Sequence, residues 1–175
     1  AKTSEIGSAD KVIKWINENK PASKQISLIH NDYKYDNVVY RNDKWNEINS
    51  ILDWEMCTIG DPLMDLGTSI AYWTMSNDHP VILNGLKSPT VLPGNPSRSK
   101  IVELYCEQTQ TKLDDFVFYY VYGLFKIAVI VQQIYFRYKK GLTSDKRFSK
   151  LDKYAKVLSD TAWQSIQKMQ IENLF

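Results

Sequence analysis

Apolar residues recur at helical spacing in several stretches of the chain and cluster at strand spacing in three short ones, a pattern that predicts a mostly helical domain carrying a small sheet. Val12, Ile13, Trp15 and Ile16 follow Ser8-Ala9-Asp10, which predicts a capped amphipathic helix ending near Asn19-Lys20-Pro21. Ile26 to Ile29 predicts a short buried strand. Val38-Val39-Tyr40 and Ile48 to Leu52 flank the turn Arg41-Asn42-Asp43-Lys44, and together they predict a β-hairpin. Asp61-Pro62 opens another helix, with Pro at a favourable first-turn position and Leu63, Leu66, Ile70 and Trp73 on one face. Further helices are expected over Arg98 to Thr109, Asp114 to Lys140 and Phe148 to Gln170, with Gly141 stopping the long central one. Between Ser76 and Ser97, four prolines and two glycines predict a loop, and a loop of that length is more often functional than idle.

The run from Phe116 to Phe136 is apolar enough to suggest a membrane helix, but Lys126, Gln132 and Gln133 interrupt it, so a buried core helix is the expectation. The 175 residues suffice for one domain with a substantial core. Hydrophobic residues at 43% and charged residues at 24% are ordinary for a globular chain, and a net charge of +2 announces neither nucleic acid nor membrane as partner. Cys57 and Cys106 lack metal-type spacing; a reduced, cytoplasmic chain is expected, with a single disulfide as the alternative. Ala1 to Asp10 is polar and begins without Met, which reads as a trimmed piece or proteolytic fragment with no signal peptide.

The chemistry concentrates in the polar run His30 to Asn37 and in Asp53. Asn37 opens the first arm of the predicted hairpin and Asp53 closes the second, so antiparallel pairing brings an amide oxygen and a carboxylate side by side. A second carboxylate, Asp32, lies one loop away. Hard oxygen ligands at an open position suit Mg²⁺, which keeps several waters and is completed by phosphates. Asp32 would then orient an acceptor hydroxyl and take its proton, and His30 would orient the loop. Taken singly, each of these residues also reads as an ordinary turn residue.

The spacing His30-x-Asp32-x-x-x-x-Asn37 resembles the catalytic loop of protein-kinase-like phosphotransferases, and Asp53-Trp54-Glu55 resembles their metal-binding segment. Gly60-Asp61-Pro62-x-x-Asp65-Leu66 is similar to the aminoglycoside phosphotransferase/choline kinase family. Tyr72-Trp73 and Gly141-Leu142-Thr143-Ser144 resemble a subgroup associated with acyl-CoA dehydrogenase fusion proteins. The resemblance covers about residues 26 to 165 and implies an α+β, mostly helical C-terminal lobe of a protein-kinase-like fold, its small β-hairpin carrying the catalytic loop. It implies ATP and Mg²⁺ as cofactors and a small-molecule hydroxyl as acceptor. By position it implies Asp32 as base, Asn37 and Asp53 as Mg²⁺ ligands, and Asp65 as the residue bracing the loop backbone. Val39 would floor the adenine or simply be a core residue, and Glu55 would support the metal or be structural. Asp61 reads as a helix cap.

Asn31 departs from the small residue usual between His and Asp. Nothing upstream of Ile26 resembles the phosphate-covering loop and lysine of an N-terminal nucleotide-clamping lobe; Lys11, Lys14, Lys20 and Lys24 read as solvated charges. The expectation is therefore a lobe that is inert alone and active with its missing half. A kinase-like binding or regulatory module is the rival reading. A hydrolase built on His30 and an Asp lacks a nucleophile elbow, and His79 is expected to be exposed in the proline-rich loop. Asp114 and Asp115 are too few to argue for a polycationic acceptor, whereas Tyr72, Trp73, Tyr119, Tyr120 and Tyr122 permit an aromatic cage without requiring one. The segment Ser76 to Ser97 is the expected specificity element.

Overall fold

Along the described residues of this computed structural model (3, 5–22, 25–44, 46–113 and 115–175), short strands come early and long helices late. Helix α1 (Gly7–Glu18) precedes strand β1 (Ser27–Ile29), and the hairpin β2 (Val38–Tyr40) and β3 (Ile48–Ile51) follows. Strand β4 (Thr58–Gly60) leads into helices α2 (Pro62–Tyr72), α3 (Pro80–Leu86), α4 (Arg98–Thr109), α5 (Val117–Lys139) and α6 (Leu151–Lys168). Lys24 and Asp114, which the sequence reading also touched, lie outside the described residues.

The apolar run of α5 becomes the axis of the domain. Ten of its residues are buried, and it packs against α6 and α2, with α1 laid across the α5–α6 pair. By length and hydropathy α5 could cross a bilayer, but here Val121, Leu124 and Ile127 are core residues beside Ile70, Leu158 and Ala162. The approach of α5 to α2 is unusually close. A Cβ on Gly67 would lie 2.2 Å from the Tyr119 carbonyl oxygen, and one on Gly123 would lie 2.3 Å from the Gly67 carbonyl oxygen. Only two glycines permit that crossing.

The hairpin pairs as its spacing predicts: Val38 faces Ile51 and Val39 faces Ser50. The second pairing was not visible in the pattern. Strand β1 runs antiparallel to β4, Leu28 facing Ile59. This two-stranded sheet covers only one face, so Ile29 is 6% exposed while Leu28 is 59% and Ile26 is 78% exposed. The expected buried strand is therefore buried on one side alone.

Three other expectations are corrected. Helix α1 starts at Gly7 without a side-chain cap, and the Ser8 hydroxyl is buried unpaired inside it. Packing of Ile6 against the core fixes that start instead. The Ser76 to Ser97 segment holds α3 and a 3-10 turn (Pro89–Val91). Its prolines stand at first-turn positions, where their missing N–H costs nothing. His79 is half-buried: its Nδ1 accepts from the Val81 N–H at 3.1 Å, and its ring meets Phe175. The final helix begins at Leu151, after a 3-10 turn over Lys146–Lys150. Gly141 does end the central helix, with φ +70° and the Leu142 N–H donating to the Arg137 carbonyl at 3.0 Å.

Beyond the C-terminal end of α2, Arg98 is 2% exposed. Its Nε donates to the Trp73 carbonyl at 2.8 Å, and its Nη1 donates to Asp78 Oδ1 at 2.9 Å and to the Ile171 carbonyl at 3.2 Å. Nη2 completes a two-point pair with Asp78, and the guanidinium lies over the Tyr120 ring. Every direction of the fork is used, as a buried guanidinium requires.

Candidate active site

The turn between β1 and β2 is held from below by α2. Asp61 caps that helix, its Oδ1 accepting from the Leu63 N–H at 2.9 Å. One turn on, Asp65 accepts from the backbone N–H groups of His30 and Asn31, each at 2.7 Å and each on a different carboxylate oxygen. Two charge-assisted bonds to adjacent amides fix the backbone entering Asp32. His30, 4% exposed, ties the same turn to the hairpin. Its Nε2 donates to the Leu52 carbonyl at 2.8 Å, and its Nδ1 accepts from the Asp32 N–H at 3.2 Å. Both ring nitrogens are occupied, so His30 orients the loop and has no free nitrogen for proton exchange.

Asp32 and Asn37 are in contact. The Asn37 Nδ2 donates to the Asp32 carbonyl at 2.8 Å and to its Oδ2 at 3.1 Å. The Leu52 N–H donates to the Asn37 carbonyl at 2.8 Å, so Asp53 follows one residue after the base of the hairpin. Asp53 is exposed and left-handed at φ +64°, a conformation that turns the chain sharply into the 3-10 turn Trp54–Met56. Glu55 is exposed within that turn. Val39 is half-buried on β2 and, by strand alternation, points away from the side of Val38 and Tyr40.

A cavity of about 610 Å³ opens on that side. Tyr33, Lys34, Tyr35, Tyr72, Trp73 and Tyr105 line it, with Lys87 and Thr90 from the segment after α3. Asp32 is not itself among the lining residues but stands against two that are. Lys34 Nζ lies 2.6 Å from Asp32 Oδ2 and 4.9 Å from the centroid of the Tyr72 ring. Burial pushes the Tyr72 phenol well above its ordinary range, and the neighbouring Asp32 charge adds to the shift.

Two of these contributors escaped sequence reasoning. Lys34 sits two residues from Asp32, inside the motif, and only the fold shows that it meets the carboxylate. Lys126 of α5 reaches the loop from far along the chain: its Nζ donates to the Asn31 carbonyl at 2.6 Å and to Asn31 Oδ1 at 3.1 Å. Its one sequence signal was a lone charge inside an apolar helix. Burial pulls the Lys126 ammonium below the usual lysine range, partly offset by Asp65 and Asp32.

Residues 1–97 match the profile of the phosphotransferase enzyme family, APH. Acyl-CoA dehydrogenase family member 10 of Mus musculus is 28% identical over 170 residues, covering 96% of this chain and 16% of that protein. Acyl-CoA dehydrogenase family member 11 of Homo sapiens is 31% identical over 143 residues, covering 80% of this chain and 18% of that protein. The chain thus spans under a fifth of the length of either relative. The crystal structure of a candidate aminoglycoside phosphotransferase from Ralstonia eutropha JMP134 superposes with a TM-score of 0.82 at 25% identity. It aligns over 95% of this chain and 51% of its own, so the chain spans about half of it.

Proposed function

This chain belongs to the phosphotransferase enzyme family and has its kinase-like, mostly helical α+β fold, and from that premise we propose that it carries the catalytic half of an ATP-dependent small-molecule kinase. The reaction is transfer of the γ-phosphoryl group to a hydroxyl. The observation that carries the reading is the clamped turn: Asp65 and His30 lock the backbone that presents Asp32, and Asn37 is bonded to Asp32 beside an open cavity.

In this reading the acceptor enters the cavity and places its hydroxyl against Asp32. Asp32 takes the hydroxyl proton as the new oxygen–phosphorus bond forms, and ADP leaves with the bridging oxygen. Val39, on the other face of β2, lies under the adenine. Lys34 and Lys87 both face the cavity, and one of its two carboxylates, Asp65, is spent on backbone amides. That lining suits a neutral or anionic acceptor with apolar surface better than a polycation.

The residues present fit Mg²⁺. Asn37 commits its amide nitrogen to Asp32, which leaves Oδ1 as a hard oxygen ligand, and Asp53 offers an exposed carboxylate next to the hairpin base. Among the described residues no group of three His, Cys, Asp or Glu forms a self-sufficient metal site. Two protein oxygens completed by water and phosphate match the way Mg²⁺ is usually held. When bound, the ion supplies charge neutralisation on the phosphates.

The test is ATP turnover by the full-length protein against aminoglycosides, choline-like amines, sugars and hydroxylated acyl thioesters. Asp32→Ala should remove turnover with the fold intact, and unchanged turnover would sink the assignment. Asp53→Ala should abolish Mg²⁺-dependent activity; retained metal dependence would argue against its ligand role.

A further inference from the structure

Lys126 is the only charged residue of α5 before Arg137, and it sits in the stretch that is otherwise core. A half-buried ammonium there is costly unless it has a task. Its partner is not a carboxylate but Asn31, a residue with φ +67° in the left-handed region that L side chains avoid. All four polar groups of Asn31 are engaged. Its N–H donates to Asp65 at 2.7 Å, its Nδ2 donates to the Met56 carbonyl at 3.0 Å, and both of its oxygens accept from Lys126.

The helix crossing explains why two helices converge on one residue. Gly67 stands two residues after Asp65 on α2, and Gly123 stands three residues before Lys126 on α5. Their close contact brings a carboxylate and an ammonium to opposite ends of the same peptide unit, the N–H and the C=O of residue 31. Asp32 is the next residue. We propose that Lys126 is a positioning residue of this site, holding Asn31 in its left-handed turn and so setting the direction in which Asp32 is presented. The inference rests on the reading of Asp32 as the base. It assigns to α5, the core helix, a direct part in the geometry of the loop.

The experiment compares Lys126→Met and Lys126→Arg with the unaltered full-length protein by two independent readouts. The first is steady-state kinetics with MgATP and an acceptor found in the screen. Lys126→Met should lower kcat by roughly 100-fold, as small misplacement of a reacting group does, with KM for both substrates within about twofold. Lys126→Arg should restore most of the loss, because a guanidinium can also donate to both oxygens of Asn31. The second readout is amide hydrogen exchange, which needs no turnover. The amides of Asn31 and Asp32 should exchange about tenfold faster in Lys126→Met, while α6 stays protected, as loss of one charge-assisted bond would produce. Unchanged exchange at both amides overturns the inference, and so does a uniform rise that includes α6. If Asp32→Ala leaves turnover intact, the phosphotransfer reading falls, and the exchange result still decides whether Lys126 holds the loop.

Discussion

Helix α2 carries a polar cluster at each end, and the two are built on opposite principles. At the C-terminal end Arg98 and Asp78, with side chains 3% and 5% exposed, close on each other and on backbone carbonyls. At the N-terminal end Asp65 spends both oxygens on the loop, but the groups it holds in place remain open: Asp32 is 14% and Lys34 26% exposed at the side chain. A saturated buried pair contributes architecture and nothing else, because no group is left for a ligand. A cluster in which the backbone is saturated and the side chains are not is what chemistry requires. The charges also suit their ends, a carboxylate near the positive helix terminus and a guanidinium near the negative one.

The largest effect expected at either end is on stability, from Arg98→Met. It strands the Asp78 carboxylate in a dry site and should cost roughly 3–5 kcal/mol in urea denaturation. Replacing Asp78 by Leu as well should recover much of the loss. If Arg98→Met is mild, the C-terminal cluster is not closed as described. At the other end Asp65→Ala leaves two backbone N–H groups without their acceptor, for about 3 kcal/mol, and should slacken the turn that presents Asp32. Turnover should then fall further than stability alone explains. A loss of stability with kcat intact would mean that His30, not Asp65, orients the loop.

A smaller effect separates the clusters by pH. Burial pushes the Tyr120 phenol up to about 12; Arg98 over its ring opposes the shift, and Asp78 and Glu172 add to it. The folded state therefore keeps a proton that the unfolded chain releases near its ordinary value of 10. Stability from this group is complete below pH ~10 and drains as pH rises towards ~12, by roughly 2.7 kcal/mol in all. Tyr120→Phe should flatten that part of the alkaline unfolding profile. An unchanged slope would place the alkaline transition elsewhere, with Tyr72 and Tyr154, both raised by burial, as the next candidates.

What the sequence made legible follows range. The hairpin could be read because its two arms lie within one local stretch and share a turn, and its pairing puts Asn37 and Asp53 at one end. The cap of α2 could be read from Asp61-Pro62, since both act on their own helix. Asp65 could be assigned to the loop only through family resemblance, because its bonds span 35 and 34 residues. Lys126 reaches back 95 residues and left only its misplaced charge as a clue. Strand β4 is three residues long and carries no periodicity to detect. Helix α3 was hidden by its prolines, which read as breakers until their first-turn placement is known.

The smallest effect tests whether Asp65 or the helix end as a whole holds the loop. Asp61 accepts from the Leu63 N–H, and Pro62 occupies the first helical position, so the start of α2 is defined by one side-chain bond and one fixed φ. Asp61→Ala removes the bond and the favourable charge, for about 1 kcal/mol, while Asp61→Asn should keep most of both the bond and the stability. Pro62 still holds the backbone of the first turn, and the Asp65 carboxylate is anchored by two amides of its own, so kcat should change little in either variant. Denaturation and turnover measured on the same preparations decide it. If Asp61→Ala costs as much turnover as Asp65→Ala, fraying of the helix end is enough to release the loop, and the open cluster depends on the whole first turn of α2. If turnover is spared, the two amide bonds of Asp65 suffice to keep Asp32 in place, and the cap matters to the helix alone.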